Sequence, residues 1–179
     1  MLPVSKQLGD VFVNDYFVPS EKIEIVANVA NDCFMNAPVS SVVAQNRIVI
    51  FATATWQHSK DPMLFFKMLV RFRNDKPELY SKLKINWGGG GVYMDAVKQF
   101  VNRELSDLRI NFLGRINKPT IANQLHQSHF LVHPTIAENL PCIIIESLCS
   151  GVPVLTADVN GCSELITSSN GILYQAGDV

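Results

Sequence analysis

The sequence predicts an α/β fold, a doubly wound parallel sheet of Rossmann-like type. Three observations carry that expectation. From Arg47 onward, short runs rich in Val, Ile, Leu and Phe alternate with segments whose apolar residues recur at helical spacing. The helical segments open on capping residues and close on glycine, as at Asp61-Pro62 and Gly151. Regular strand–helix alternation with right-handed crossovers leaves a parallel sheet covered by helices on both faces.

The elements follow in order. Val4–Phe17 carries a short apolar stripe at Leu8, Val11 and Phe12 and reads as a helix running into a loop at Pro19. Ile23–Ala27 reads as a strand, Asn28–Asp32 as a turn, and Asn36–Asn46, which has little periodicity, as an irregular loop. Ile48–Ala54 is a buried-type strand, followed by a helix with Leu64, Phe65, Met68, Leu69 and Phe72 on one face. A second strand, Leu83–Trp87, ends in Gly88–Gly91, which reads as a flexible turn, with a phosphate-binding nest as the alternative. A helix with Ala96, Val97, Phe100, Val101 and Leu105 leads to a third strand, Arg109–Gly114. A weaker helix, Pro119–Gln127, follows, with Ile121 and Leu125 as its apolar pair. The last units are strand His129–Pro134, helix Pro141–Ser150, strand Pro153–Asp158, helix Cys162–Thr167 and strand Gly171–Tyr174.

The chain's 179 residues suffice for one substantial core, and a formal net charge of −1 gives no electrostatic footprint for nucleic acid. No apolar run approaches the roughly 20 residues that span a bilayer, and MLPVSKQLGD lacks a signal-peptide core. Cys33, Cys142, Cys149 and Cys162 form no CxxC pair and read as reduced, mostly buried thiols of a cytoplasmic protein.

In such sheets ligands sit beyond the carboxyl ends of the strands. The densest chemistry there is HPTIAENLPCIIIESLCSGVPV, His133–Val154, where Glu138 and Glu146 stand either side of seven residues. Ile143, Ile144, Ile145, Leu148 and Cys149 make the helix apolar almost all round, so both its faces are expected to be covered. Glu146 lies inside that run and needs a basic partner, a donor cluster or a polar ligand. Glu138 precedes the helix, whose free N–H groups and dipole suit phosphate or sugar oxygens. Physics alone leaves two readings open: a helix cap and a buried ion pair, or a binding site. His133 reads as structural or positioning, and His58 as surface or donor contact. His126 and His129 read as surface or packing residues, and Trp56 and Trp87 as core or rim.

ENLPCIIIESLCSGVPVL resembles the E-x7-E block of retaining GT-B glycosyltransferases, group 1 or family 4. KIEIVANVAND resembles the strand and turn that open the carboxyl-terminal domain of that family, and RINFLGRI its V-x-F-L-G-x-V strand. SKDP is similar to its E-K-N-P turn, and VNGCSELITSSNGILYQAGD to its G-G-x-x-E-x-I…N-G-x-L-x-x-x-G-D tail. The resemblance is collinear from about Ile23 to Asp178. It implies a single GT-B half-domain over residues 23–179, with 1–22 as a residual amino-terminal helix and linker.

The resemblance also implies roles. The donor is a nucleotide-diphospho-sugar (UDP- or GDP-linked), with no metal or other cofactor. Glu146 would accept from the ribose, and Glu138 would contact the transferred sugar. The stretch from Asn139 through Leu140 to Cys142 would hold sugar and phosphate by its amides. Lys60 would offset diphosphate charge, the backbone near Ile116 would read the base, and Gly88 and His133 would border the donor. The acceptor, a glycan, polysaccharide or lipid-linked sugar, would bind through an amino-terminal domain absent from this sequence. The isolated chain is therefore expected to transfer no sugar. Such a parent would be cytoplasmic or membrane-peripheral. An uncovered cleft face and the loop at 36–46 predict self-association of the isolated domain. Two departures from the pattern stand out: Ala54 replaces the usual arginine six residues before the lysine, and four glycines replace G-D-G-P. The alternatives are a non-catalytic nucleotide-binding or interaction module, and another GT-B enzyme such as a sugar-nucleotide epimerase.

Overall fold

A computed structural model describes residues 1–35 and 46–176. Six parallel strands form one sheet: β1 (Ile48–Thr55), β2 (Leu83–Gly90), β3 (Arg109–Gly114), β4 (Phe130–His133), β5 (Val154–Ala157) and β6 (Gly171–Tyr174). Their order is β3-β2-β1-β4-β5-β6, with the reversal of direction between β1 and β4. The helices are α1 (Lys6–Asn14), α2 (Pro62–Asp75), α3 (Pro77–Tyr80), α4 (Met94–Glu104), α5 (Lys118–His126), α6 (Cys142–Cys149) and α7 (Asn160–Leu165). The doubly wound α/β fold expected from the alternation is the fold observed.

Alternation along β1 divides the interior in two. Ile50 and Ala52 point to one face, where α2 and α4 add Phe65, Phe66, Leu69, Val97 and Val101. Phe51 points to the other, where α5 and α6 bring Ala122, Leu125 and Ile144 against Leu131 and Val154. Both tryptophans are fully buried in the first core, with ring centroids 4.1 Å apart. They are core residues, and the Trp56 indole N–H donates to Gly88 O at 2.6 Å.

Three expectations are corrected. Ile23–Ala27 joins no strand of the sheet. Its N–H groups bond the chain's own start, Glu24 to Met1 O at 3.1 Å and Val26 to Pro3 O at 2.9 Å, and Ile25 and Val26 stay about half exposed. Alternating hydrophobicity here had no second face to bury. Gly88–Gly90 is not a turn but the end of β2, paired with Thr53–Thr55. A Cβ at Gly89 would lie 1.9 Å from Ala54 O, and its φ of +93° suits glycine, so the close strand approach demands the residue that local propensity reads as a breaker. The α6 helix is not covered all round: Ile144, Glu146 and Ser147 are buried, while Cys142 and Cys149 are exposed. Cys162 is buried and Cys33 half-buried, and all four cysteines are free, so only part of the buried-thiol expectation holds.

Smaller differences lie at the ends. α7 begins two residues early, at Asn160 (φ +36°), and α3 had no apolar stripe to announce it. The irregular loop expected at 36–46 lies, apart from Asn46, outside the described residues, as does the Gly-Asp of the tail motif. The expected capping at Asp61 is present: its carboxylate accepts from Leu64 N at 3.3 Å ahead of Pro62. At the amino end, α1 docks on α7 through Glu164, which accepts from Lys6 N at 2.9 Å and Gln7 N at 2.7 Å. That carboxylate satisfies orphan donors at the positive end of α1.

Candidate functional site

Parallel strands place all their carboxyl ends on one edge, and the loops leaving β1 and β4 are laced together there. The Ser59 carbonyl accepts from Thr135 Oγ1 at 2.8 Å and from Ile136 N at 2.9 Å. Thr156 Oγ1 donates to His133 O at 2.9 Å, tying β5 to the end of β4. These bonds hold the segment from His133 to Pro141 across the mouth of the sheet.

Glu138 hangs into this mouth, mostly buried, and its Oε1 receives two partners. Lys60, from the loop after β1, forms an ion pair with it, and His133 Nε2 lies at 3.0 Å. Burial, with Lys60 adding repulsion, holds His133 down to about 3, so the ring is neutral at physiological pH. A carboxylate only accepts, so Nε2 carries the ring proton and donates. His133 is thus a fixed donor to Glu138, not a group free to shuttle protons. Burial pushes the Lys60 ammonium below the ordinary lysine range. The nearby Cys162 works the other way. Glu138 does not cap α6, whose N-cap residue, Pro141, supplies no side-chain bond.

Glu146 sits one turn and more into α6, 4 % exposed. Its partner is Lys118, at the start of α5, with Nζ 2.9 Å from Oε1. The Lys118 side chain is 57 % exposed, so the expected buried cation is a surface lysine reaching inward. The bond to Glu146 raises the Lys118 ammonium above its usual value. Lys118 is the residue that sequence reasoning missed. The signal was available, since a carboxylate inside an apolar helix needs a cation, but its position depends on how α5 packs against α6.

Between the acids, the loop is fixed by backbone approach. Leu140 is buried and its carbonyl accepts from Asn28 Nδ2 at 2.8 Å. The Asn139 carbonyl lies where a Cβ on Gly161 would sit, 1.6 Å away, so α7 can abut the loop only because residue 161 is glycine. Cys142 is exposed at the first turn of α6.

The remaining residues gather at the ends of β1–β3. Thr53, Ala54, Thr55, Gly89, Gly90, Arg115 and Ile116 line a cleft of about 240 Å³. Gly88 adjoins it: its own missing Cβ would lie 2.7 Å from Ile116 Cδ1. Gly88 and Ile116 are therefore neighbours, and Arg115 shares the cleft with Ala54. His58 is exposed and lines a separate recess with Asp61, Tyr93 and Ile136. His129 is structural, with Nδ1 accepting from Val49 N at 2.9 Å, and His126 keeps a buried Nε2 without a partner among the described residues.

No group of three or more His, Cys, Asp or Glu that could hold a metal ion occurs among the described residues, and no helix there is long and apolar enough to cross a membrane.

A six-stranded parallel sheet flanked by helices is the architecture of one half of a GT-B fold. Residues 46–179 match the family model of glycosyl transferases group 1, and the chain belongs to that family. It is 25 % identical over 174 residues to the O-antigen chain mannosyltransferase RfbU of Salmonella typhimurium, covering 97 % of this chain and 46 % of that protein. It spans about half the length of that curated relative. Among solved structures it is similar to Anabaena HepE in complex with UDP and glucose, with a TM-score of 0.80, 19 % identity, and coverage of 99 % of this chain and 49 % of that one. It is similar also to WaaG, a glycosyltransferase involved in lipopolysaccharide biosynthesis, with a TM-score of 0.82, 14 % identity, and coverage of 99 % and 50 %.

Proposed function

We propose that this chain is the donor-binding half of a glycosyltransferase that takes a sugar from a nucleotide-diphospho-sugar. The observation that carries the reading is the pair of acids at the two ends of one loop and helix, each already held by a lysine: Glu138 by Lys60 and Glu146 by Lys118. Between them the first turn of α6 has no side-chain cap among the described residues, which leaves the N–H groups ahead of Ile144 available to an anion.

In this reading Glu146 accepts from the ribose, and Glu138, fixed by His133, meets the sugar. The stretch from Asn139 to Cys142 holds sugar and phosphate, and the Gly88–Ile116 corner takes the base. Residues 1–22 are an appended helix and linker from a preceding half that supplies the acceptor, a glycan, polysaccharide or lipid-linked sugar. Lys60 exchanges Glu138 for the diphosphate as the glycosidic C1–O bond breaks. The acceptor oxygen bonds C1 on the same face, and its proton passes to the departing phosphate. No residue in this set calls for a metal. Arg115, in the cleft with Ala54, is placed to supply the second cation that Ala54 lacks.

Ala54 also favours a second reading, a non-catalytic module that binds nucleotide or a partner. Titrating the chain with UDP- and GDP-sugars separates the two. Saturable binding of one donor, weakened at least about tenfold by Glu146→Gln, is expected. An intact fold with no binding at millimolar donor supports the module instead. Full affinity in Glu146→Gln would remove the ribose role. The isolated chain is expected to transfer no sugar, and robust turnover by it would contradict the requirement for a second half.

A further inference from the structure

We infer that Lys118 is a positioning residue for donor binding: it keeps Glu146 ionised and turned so that one carboxylate oxygen is left for a vicinal diol. The inference rests on the donor-binding reading and gives Lys118 a role in it that the reading leaves open.

Glu146 is almost wholly buried within a helix whose neighbouring residues are isoleucines, serine and leucine. A carboxylate in that setting takes up a proton unless a cation reaches it. Among the described residues, the cation in contact is Lys118. Its approach is built rather than incidental. Asn117 caps α5 by accepting from Thr120 N at 3.0 Å, which sets Lys118 at the first helical position. The ammonium passes 5.9 Å from the centroid of the Phe34 ring, itself fully buried, on its way to Glu146. Phe34 is held in turn through its carbonyl, which accepts from Ser150 Oγ at 3.2 Å at the end of α6. The side chain is thus guided by the turn at Asp32–Phe34 and by α5 onto one atom of α6.

The bond falls on Oε1 alone, and Oε2 receives no bond from the described residues. A ligand with two adjacent hydroxyls can donate to the remaining lone pairs of an ionised carboxylate. A protonated carboxyl would turn one of those acceptors into a donor. The other titratable groups near this corner are Cys33 on the turn and Cys142 on α6; neither is a cation that could take over from Lys118.

The test measures UDP affinity of the full 179-residue chain by calorimetry between pH 5.5 and 8.5, for wild type, Lys118→Met and Lys118→Arg. Carbon-13 NMR titration of the Glu146 carboxyl, without ligand, runs in parallel. Lys118→Met is expected to raise the Glu146 titration midpoint by about three units, into the measured pH range. UDP affinity should then fall about tenfold at pH 6 and recover toward wild type at pH 8.5. Lys118→Arg should restore both. Two results would overturn the inference: a Glu146 midpoint unmoved in Lys118→Met, or an affinity loss equal at every pH, which would mark Lys118 as a direct phosphate contact or a merely structural residue. Should wild type bind no UDP, the donor reading fails, and the carboxyl titration still reports whether Lys118 holds Glu146.

Discussion

The two halves of the sheet are built from different materials. The half formed by β1–β3 packs on α2 and α4 through an aromatic cluster of Trp56, Phe65, Phe66, Tyr80 and Trp87. The half formed by β4–β6 packs on α5–α7 through smaller apolar residues, with two buried rings, Phe34 from the turn at Asp32–Phe34 and Phe51 contributed by β1. Polar burial runs the other way. Of the nine buried polar residues described, His133, Thr135, Glu146, Ser147 and Thr156 lie in the single unit β4–α6–β5. Burying polar groups costs stability unless each is bonded, and here hydrogen bonds and lysines supply the partners. The large aromatic burial is therefore concentrated in the first half, and the bonded polar burial in the second.

The sharpest way to break that contrast is to remove the centre of the aromatic cluster. Trp87 stacks at 4.1 Å on Trp56 and at 5.3 Å on Phe65, and lies 4.6 Å from Phe66. Trp87→Ala should destabilise the chain by about 3–5 kcal/mol in urea denaturation. The Trp87 indole N–H is buried without a partner among the described residues, so either substitution removes an orphan donor, and Trp87→Phe should cost clearly less than Trp87→Ala because it keeps a ring in the cluster. Equal costs for the two would mean that a phenyl ring at this position adds nothing to the packing of the cluster. Glu146→Gln serves as the control in the other half: a large effect on ligand, a smaller one on stability.

The two halves were also unequally legible. In the first, amphipathic stripes such as Leu64, Phe65, Leu69 and the buried run Ile48–Ala54 announce strand and helix directly, because each element buries one defined face. The misreading there, Gly88–Gly90 as a turn, arose because glycine is chosen for contact with Ala54 and Ile116 rather than for local conformation. In the second half the acids and His133 stand out by type and place, as does Lys60 after β1, yet their pairings do not. Lys118 is 28 positions from Glu146 and meets it only after β4 brings α5 beside α6. Ile23–Ala27 failed for the converse reason: its pattern was that of a strand, and the sheet had no place for it.

The loop between the acids offers a test of intermediate size. Gly161 lets α7 approach the Asn139 carbonyl, and a Cβ there would lie 2.6 Å from the carbonyl carbon as well. Because the obstacle is backbone, Gly161→Ala must shift either α7 or the loop. A cost of about 1–3 kcal/mol is expected, together with weaker donor binding, since Asn139–Cys142 moves with the loop. A variant of unchanged stability that binds donor normally would show that the loop is not fixed by this contact.

Acid titration separates the halves most finely. The unfolded His133 takes up a proton near pH 6.5, whereas burial holds the folded one to about 3. Between those values the unfolded state binds a proton that the folded state excludes. His133 thus leaves stability intact above 6.5 and removes it as pH falls toward 3, by up to about 1.4 kcal/mol per unit. The alkaline limb does not discriminate, because Tyr80 in one half and Tyr174 in the other are both pushed up to about 12 by burial, and both lose stability as pH rises from 10 toward 12. The informative measurement is urea stability at pH 7.5, 6.5, 5.5 and 4.5 for wild type and His133→Gln. The glutamine amide can still donate to Glu138 but does not titrate. Wild type should lose stability more steeply below 6.5, and parallel curves would place the acid sensitivity elsewhere than in the site half.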